Sequence, residues 1–102
     1  MPTDFRTVPR YFVTGALCAT FGEVGAHIVD LSVRGARLHM TQPFTIGSEL
    51  QFVLEAAGER INVLSMVSWC RMAALALDEN ESDRYLVGIM FDSEQPAAKA
   101  IK

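Results

Sequence analysis

Short apolar segments separated by turn residues run along most of the chain, a pattern typical of β-strands. Within residues 49–56, Leu50, Phe52 and Leu54 alternate with other positions and are predicted to share one face. Residues 85–91 are almost continuously apolar and predict a central strand covered on both faces. The complete set of predicted strands is 11–21, 25–32, 35–40, 49–56, 61–69 and 85–91.

A second alternating set is predicted to face one side of the strand at 61–69, and it comprises Ile61, Val63, Val67 and Trp69. The chain after Pro96 can begin a short helix. Six short strands followed by a helical stub predict an all-β domain, either a small antiparallel barrel or a sandwich.

The composition of the chain indicates a single ordered domain. The chain has 102 residues, of which 50% are hydrophobic and 21% charged, which excludes intrinsic disorder of its body. No apolar run approaches the roughly 20 residues that cross a bilayer, and Asp4 and Arg6 precede any apolar stretch, so neither membrane insertion nor a signal peptide is expected. The two cysteines, Cys18 and Cys70, form no disulfide framework, which favours a reducing compartment and predicts a cytoplasmic protein.

The net charge of −3 is unevenly distributed. Residues 1–40 hold four basic and three acidic residues, a balance of +1, whereas residues 41–102 hold five basic and nine acidic residues, a balance of −4. A general nucleic-acid binder needs a basic face, which this balance does not favour. A small anionic ligand needs only a few cations in one place, and the first 40 residues can supply them.

Two arginines, Arg6 and Arg10, lie on either side of Val8-Pro9. Pro9 disfavours a helix there, so the arginines lie on an extended segment, at most roughly 13 Å apart. Residues 1–10 are therefore predicted to form a flexible N-terminal tail ahead of a single domain at 11–102. An arginine fork binds phosphate oxygens or the O6 and N7 edge of guanine, although a solvated tail without a ligand is the alternative for these two residues alone.

A second polar group follows in the sequence DLSVRG, residues 30–35. Asp30 and Ser32 are predicted to project together while Leu31 points into the core, and Gly35 lets backbone or ligand approach closely. A carboxylate complements the N1–H and amino donors of guanine, so these residues and the two arginines together suit a guanine nucleotide. Alternatively, Asp30 and Ser32 cap a turn through their side chains, which is compatible with binding.

The two motifs in this order resemble the PilZ domain family, which is marked by RxxxR followed by DxSxxG. Arg6 to Arg10 matches the first motif and Asp30 to Gly35 the second, and the strand containing YLVGIMF also fits. The resemblance implies a six-stranded antiparallel β-barrel with a short C-terminal helix. It also implies that the domain binds cyclic di-GMP, a bacterial second messenger, and signals to an effector protein that is not identified.

The resemblance implies that Arg6 and Arg10 grip phosphates and guanine edges. It also implies that Asp30 and Ser32 contact guanine on the barrel surface, while Gly35 permits the turn. Trp69 is a looser match to a position that packs on guanine, and a purely structural role in the barrel is the alternative for it. Arg34 and Arg37 are expected on the surface near the site, and contact with the ligand is left open for each of them. The chain departs from many members of the family in carrying Thr3-Asp4-Phe5 where they have additional arginines.

Other chemistry is not expected, although the sequence leaves open a Cys18–His27 nucleophile pair that nothing specifically activates. His27 and His39 have no Cys or His partner at metal-ligand spacing, and Cys18 and Cys70 are interpreted as buried small apolar residues. We therefore expect no enzyme activity, no metal and no cofactor besides the ligand. Two other functions remain open: a PilZ-fold adaptor that contacts proteins without nucleotide, and a small barrel that binds single-stranded nucleic acid, which would require a basic groove.

Overall fold

The structure is a computed structural model, and it describes residues 11–12, 18–56, 58–75 and 83–99. The predicted tail with Arg6 and Arg10 lies outside these residues, as does most of the acidic segment at 77–83.

Antiparallel β-strands make up almost all of the described structure. A single-turn 3₁₀ helix at Pro96–Lys99 follows the last strand. The strands are β1 (Tyr11–Phe12), β2 (Cys18–Phe21), β3 (Val24–Gly25), β4 (His27–Leu31), β5 (Gly35–Met40), β6 (Glu49–Ala56), β7 (Glu59–Ala74) and β8 (Arg84–Phe91).

The eight strands form one sheet in the order β1-β4-β5-β8-β7-β6-β2-β3. Ala26 alone separates β3, at one edge of this order, from β4, next to the other edge. Its N–H also donates to the carbonyl of Ala19 on β2 at 2.9 Å. Because one residue joins the two ends, the sheet must curl, and it forms a half-barrel with an inner and an outer face.

The inner face holds the hydrophobic core. Phe52 stacks on Phe91 with ring centroids 5.5 Å apart, and Phe21 packs against Phe44 at 5.3 Å. Ala98 of the 3₁₀ helix is fully buried in the same cluster. Alternation along each strand sends one set of side chains into this core and the other to the outer face.

The mainly β, antiparallel fold predicted from the sequence is confirmed. Six of the described strands have four or more residues, and each overlaps one predicted strand. The strand predicted at 11–21 differs, because the structure assigns strand only at Tyr11–Phe12 and Cys18–Phe21 and does not describe the residues between. Residues 85–91 do form a central strand, but its outer face is not fully covered, since Met90 is 49% exposed.

Candidate functional site

The second sequence motif forms the hairpin turn between β4 and β5. Across its two-residue loop, the N–H of Ser32 donates to the carbonyl of Gly35 at 2.8 Å. The Ser32 hydroxyl accepts hydrogen bonds from the N–H groups of Arg34 and Gly35, each at 3.2 Å, and donates to the Gly35 carbonyl at 3.3 Å. Ser32 is buried and acts as a side-chain cap, so the turn-capping interpretation holds for this residue.

Gly35 is required by the neighbouring strand. A Cβ at this position would collide with the backbone carbonyl oxygen of Ile89 on β8. β5 and β8 pair directly here, with Gly35 opposite Met90. Of the two close approaches predicted for Gly35, backbone or ligand, the structure therefore provides the backbone one.

Asp30 forms a buried ion pair with Arg37 on the adjacent strand. The carboxylate is 1% exposed, and its Oδ2 accepts from both the Nε and the Nη2 of Arg37, with the Nε bond at 2.7 Å. The hydrogen bond to Asp30 raises the pKa of Arg37, whose guanidinium is charged at any physiological pH. Because both donors converge on one oxygen, Arg37 fixes the orientation of the carboxylate.

Strand pairing places Asp30 and Arg37 on a line of residues that crosses four strands on the outer face. Asp30 on β4 is opposite Arg37 on β5, Arg37 is opposite Gly88 on β8, and Gly88 is opposite Trp69 on β7. We call these four residues the outer row. A Cβ at Gly88 would overlap the indole ring of Trp69, so the ring lies directly over this glycine.

The predicted orientation of Trp69 is wrong. Alternation from Ile61 places Trp69 with Val67 on the inner face, but the register of β7 shifts between Val67 and Trp69, where Ser68 is the additional residue. A β-bulge of this kind turns the following side chain to the opposite face. Trp69 thus lies half-buried on the outer face, in line with Asp30.

A cation lies against this tryptophan. The Cζ of Arg71 is 5.5 Å from the centroid of the Trp69 ring, within the range of a cation–π interaction. Arg71 is two residues further along β7 and exposed. The outer face therefore presents an aromatic surface with guanidinium groups on two sides, Arg37 and Arg71.

The structure brings together Asp30, Ser32 and Gly35 in one hairpin and places Trp69 two strands beyond Arg37. Arg34 forms an exposed ion pair with Glu94 at 3.2 Å, which contributes little to stability. Arg6 and Arg10 lie outside the described residues.

Sequence reasoning did not identify Gly88 or Arg71 as parts of the site, nor Arg37 as the partner of Asp30. The pairing of Arg37 with Asp30 is predictable from the sequence, because counting outward from the two-residue loop at 33–34 puts position 37 opposite position 30. No sequence pattern identifies Gly88 and Arg71, because their positions depend on the register between β7 and β8, which the bulge at Ser68 shifts.

The curled antiparallel sheet and the capped motif hairpin define a small, mainly β domain. The family model of the PilZ domain matches residues 4–101, so the chain belongs to the PilZ domain family. A comparison with curated proteins finds no match. PilZ domains are binding and adaptor domains and are not typically enzymes. At the level of the family, this agrees with the expectation that the chain has no enzyme activity.

Two further observations concern the described residues alone. None of their helices is long and apolar enough to cross a membrane. Their His, Cys, Asp and Glu side chains form no group of three or more that could hold a metal ion.

Proposed function

We propose that this domain is a receptor for cyclic di-GMP that signals to a partner protein. The proposal is supported by membership of the PilZ family together with an intact RxxxR and DxSxxG pair in the sequence. The observation that carries it is the outer row, in which the motif carboxylate Asp30 is held by Arg37 in line with Trp69. A carboxylate accepts hydrogen bonds from a guanine edge, and the half-buried ring of Trp69 offers its remaining surface to a guanine face.

Each residue has a distinct role in this proposal. Arg6 and Arg10 bind the phosphates and the Hoogsteen edges of the guanines with their donor forks. The carboxylate of Asp30 is 1% exposed in the structure, so it accepts from the N1–H and amino donors only after the groups that cover it move aside. Arg37 is a positioning residue that keeps this carboxylate oriented. Ser32 and Gly35 maintain the hairpin that carries Asp30.

Trp69 offers the stacking surface for a guanine. Stacking of a base on an aromatic side chain contributes about 1–3 kcal/mol. Arg71 already covers part of the ring, so a stacking base either displaces its guanidinium or lies against it. Either outcome brings a cation close to the negatively charged ligand.

The free energies are compatible with micromolar binding. A hydrogen bond to a charged group contributes about 1.5–3 kcal/mol, and micromolar affinity requires about −8 kcal/mol. Ordering backbone costs about 1–2 kcal/mol for each residue that becomes fixed. Two bidentate arginines, the Asp30 contacts and one stacked base together offset that cost for a few residues of the segment that carries Arg6 and Arg10.

Isothermal titration calorimetry with cyclic di-GMP, and with GTP as the control nucleotide, tests the proposal. We expect selective binding at micromolar concentration or tighter, and at least tenfold weaker binding by Arg10→Ala. Arg60→Ala is the matched control, because Arg60 is exposed and pairs with Glu55 at the far end of the β6–β7 hairpin. An unchanged isotherm for Arg10→Ala would contradict the role proposed for this arginine. Equal losses of affinity in Arg10→Ala and Arg60→Ala would indicate a general charge effect.

A second candidate function is a PilZ-fold adaptor that contacts proteins without nucleotide. One observation favours it: Leu64, Met66 and Met90 are 39–49% exposed on adjacent positions of the outer face of β7 and β8. Glu49 and Asp92 line the same shallow groove. This surface suits a partner segment that combines apolar and basic side chains.

The two functions differ in their dependence on the nucleotide. A receptor controls its partner only if the ligand has different affinities for the two states of the domain. No heat with cyclic di-GMP, in a preparation that still binds its partner protein, would assign the adaptor function.

A further inference from the structure

The strand register brings the two histidines of the chain together. His27 on β4 is directly opposite His39 on β5, although 12 positions separate them in the sequence. Both belong to the outer face, one position along each strand from Leu38, which is in the core, and Ile28, which packs against the core. Sequence spacing gave no indication of this pair, because the bulge between Ile28 and Asp30 sets its register.

We infer that His27 and His39 form a two-imidazole chelate for a divalent transition-metal ion. Directly opposed side chains on antiparallel strands have Cβ atoms about 4.5–5.5 Å apart. Metal–nitrogen bonds are about 2.0–2.1 Å long, so two imidazole nitrogens that share an ion lie only about 3 Å apart. Both rings reach a common ion by side-chain rotation, with the strands unmoved.

The surroundings leave this position accessible. Both imidazoles are exposed, and they line a shallow groove of about 430 Å³ together with small residues that include Gly25, Ala26 and Thr41. No bulky side chain of that groove stands over the pair, so the remaining coordination positions are open to water. A pair fixed on two hydrogen-bonded strands also loses less conformational freedom on binding than a pair on loops.

Two described arginines lie near the pair on the outer face, and neither prevents cation binding. Arg37 is two residues from His39 on β5, about 7 Å away, and the carboxylate of Asp30 balances its charge. The other arginine lies on the line of paired residues that crosses the strands from the histidines. The line runs from His27 and His39 through Leu86 to Arg71. Arg71 is two strand spacings, about 10 Å, from His39, which is close to the Debye length at physiological ionic strength. Its repulsion of a cation at the histidine pair is therefore largely screened.

The donor set selects the kind of ion. Neutral imidazole suits Cu²⁺, Ni²⁺ and Zn²⁺, whereas Mg²⁺ prefers oxygen ligands. With two protein ligands and open positions, the site is an exchangeable one and not a closed structural one. This inference does not depend on nucleotide binding, because the proposed ligands of the ion are the two imidazoles and neither is proposed to contact the nucleotide.

Calorimetric titration of the full chain with NiCl₂, with MgCl₂ as the control ion, tests the chelate. We expect one Ni²⁺ per chain, at least tenfold weaker binding by His27→Gln and by His39→Gln, and no heat with Mg²⁺. A Cys18→Ser/Cys70→Ser variant should bind Ni²⁺ as the wild type does, which separates imidazole from thiolate ligands.

A second experiment tests the same histidine pair by measuring how Ni²⁺ changes the stability of the folded domain. Saturating Ni²⁺ should raise the urea midpoint of the wild type and leave that of the His27→Gln/His39→Gln variant unchanged, because the ion binds the folded pair preferentially. Equal Ni²⁺ affinity in the wild type and the double variant would overturn the inference. Cyclic di-GMP titrations of the same variants should be unchanged, so failure of the metal site and failure of the nucleotide site are distinguishable.

Discussion

Trp69 occupies its place on the outer face because residue 88 has no side chain. The indole ring lies where a Cβ of residue 88 would be, and this contact also buries the glycine backbone. A methyl group there would force the ring outward or push β7 and β8 apart. The proposed stacking surface and the packing of the sheet thus depend on the same residue.

Gly88→Ala should therefore destabilise the domain by about 1–3 kcal/mol, the usual cost of overpacking a tight contact. It should also change the emission of Trp69, which is the only tryptophan in the chain. Urea unfolding followed by tryptophan fluorescence measures both effects in one experiment.

Gly25→Ala is the matched control for that substitution. Gly25 is an exposed strand glycine, and a Cβ there would meet nothing within 4 Å. Its unfolding midpoint should remain close to that of the wild type. Equal destabilisation by the two variants would attribute the effect to glycine in strands generally, and not to the contact with Trp69.

At the scale of secondary-structure elements, the sequence predicts a strand well where alternation is uninterrupted and poorly where a bulge occurs. The alternating residues of β6 and the loop at 33–34 give the right strand and the right hairpin. In β7, by contrast, Ser68 is a single extra residue that reverses the face of Trp69. A bulge depends on how the partner strand pairs, and local composition carries little information about that.

The candidate site shows the same division. Asp30, Ser32 and Gly35 are recognised from the sequence because they lie within six residues and their spacing is fixed by one turn. The link from Asp30 through Arg37 to Trp69 crosses four strands, and it needs the sheet order β4-β5-β8-β7. That order arises from long-range pairing, which periodicity along a single strand does not encode.

The motif hairpin provides an element-scale prediction. Ser32→Ala removes the hydroxyl that accepts from the N–H groups of Arg34 and Gly35, and the Gly35 group is buried. We expect a loss of about 1–3 kcal/mol in the free energy of unfolding, the cost of leaving a buried donor without that acceptor. Chemical denaturation measures it. Ser93→Ala is the control, because the Ser93 hydroxyl accepts an exposed hydrogen bond from Gln95.

A smaller loss in the free energy of unfolding of Ser32→Ala would change the interpretation of the motif. If Ser32→Ala is as stable as Ser93→Ala but binds cyclic di-GMP at least tenfold more weakly, Ser32 acts on the ligand directly. If it loses stability and retains affinity, its role is to hold the turn.

At the scale of the whole molecule, the curled sheet gathers the outer row and the motif hairpin on one face. Residues 1–40 carry a balance of +1 and residues 41–102 a balance of −4, so the whole chain does not attract polyanions. Selectivity for a small anion then depends on a few cations at one place. A ligand bound there stabilises the entire folded domain, because the unfolded chain does not assemble that face.

This coupling predicts a ligand-dependent melting temperature. Cyclic di-GMP at 100 times its Kd should add about 2.7 kcal/mol to the stability of the folded state. For a domain of this size each kcal/mol corresponds to about 4–8 °C, so the melting temperature should rise by roughly 10–20 °C. Differential scanning calorimetry measures the shift, with GTP at the same concentration as the control.

The Arg10→Ala variant makes this result specific to the proposed site. At the same concentration of cyclic di-GMP, its tenfold weaker affinity should reduce the added stability by about 1.3 kcal/mol, which lowers the shift by roughly half. Equal shifts in the wild type and in Arg10→Ala would exclude this arginine from the site. A cooperative transition that cyclic di-GMP does not move, in a chain that melts normally, would instead assign the domain to the nucleotide-free adaptors, with the surface at Leu64, Met66 and Met90 as its working face.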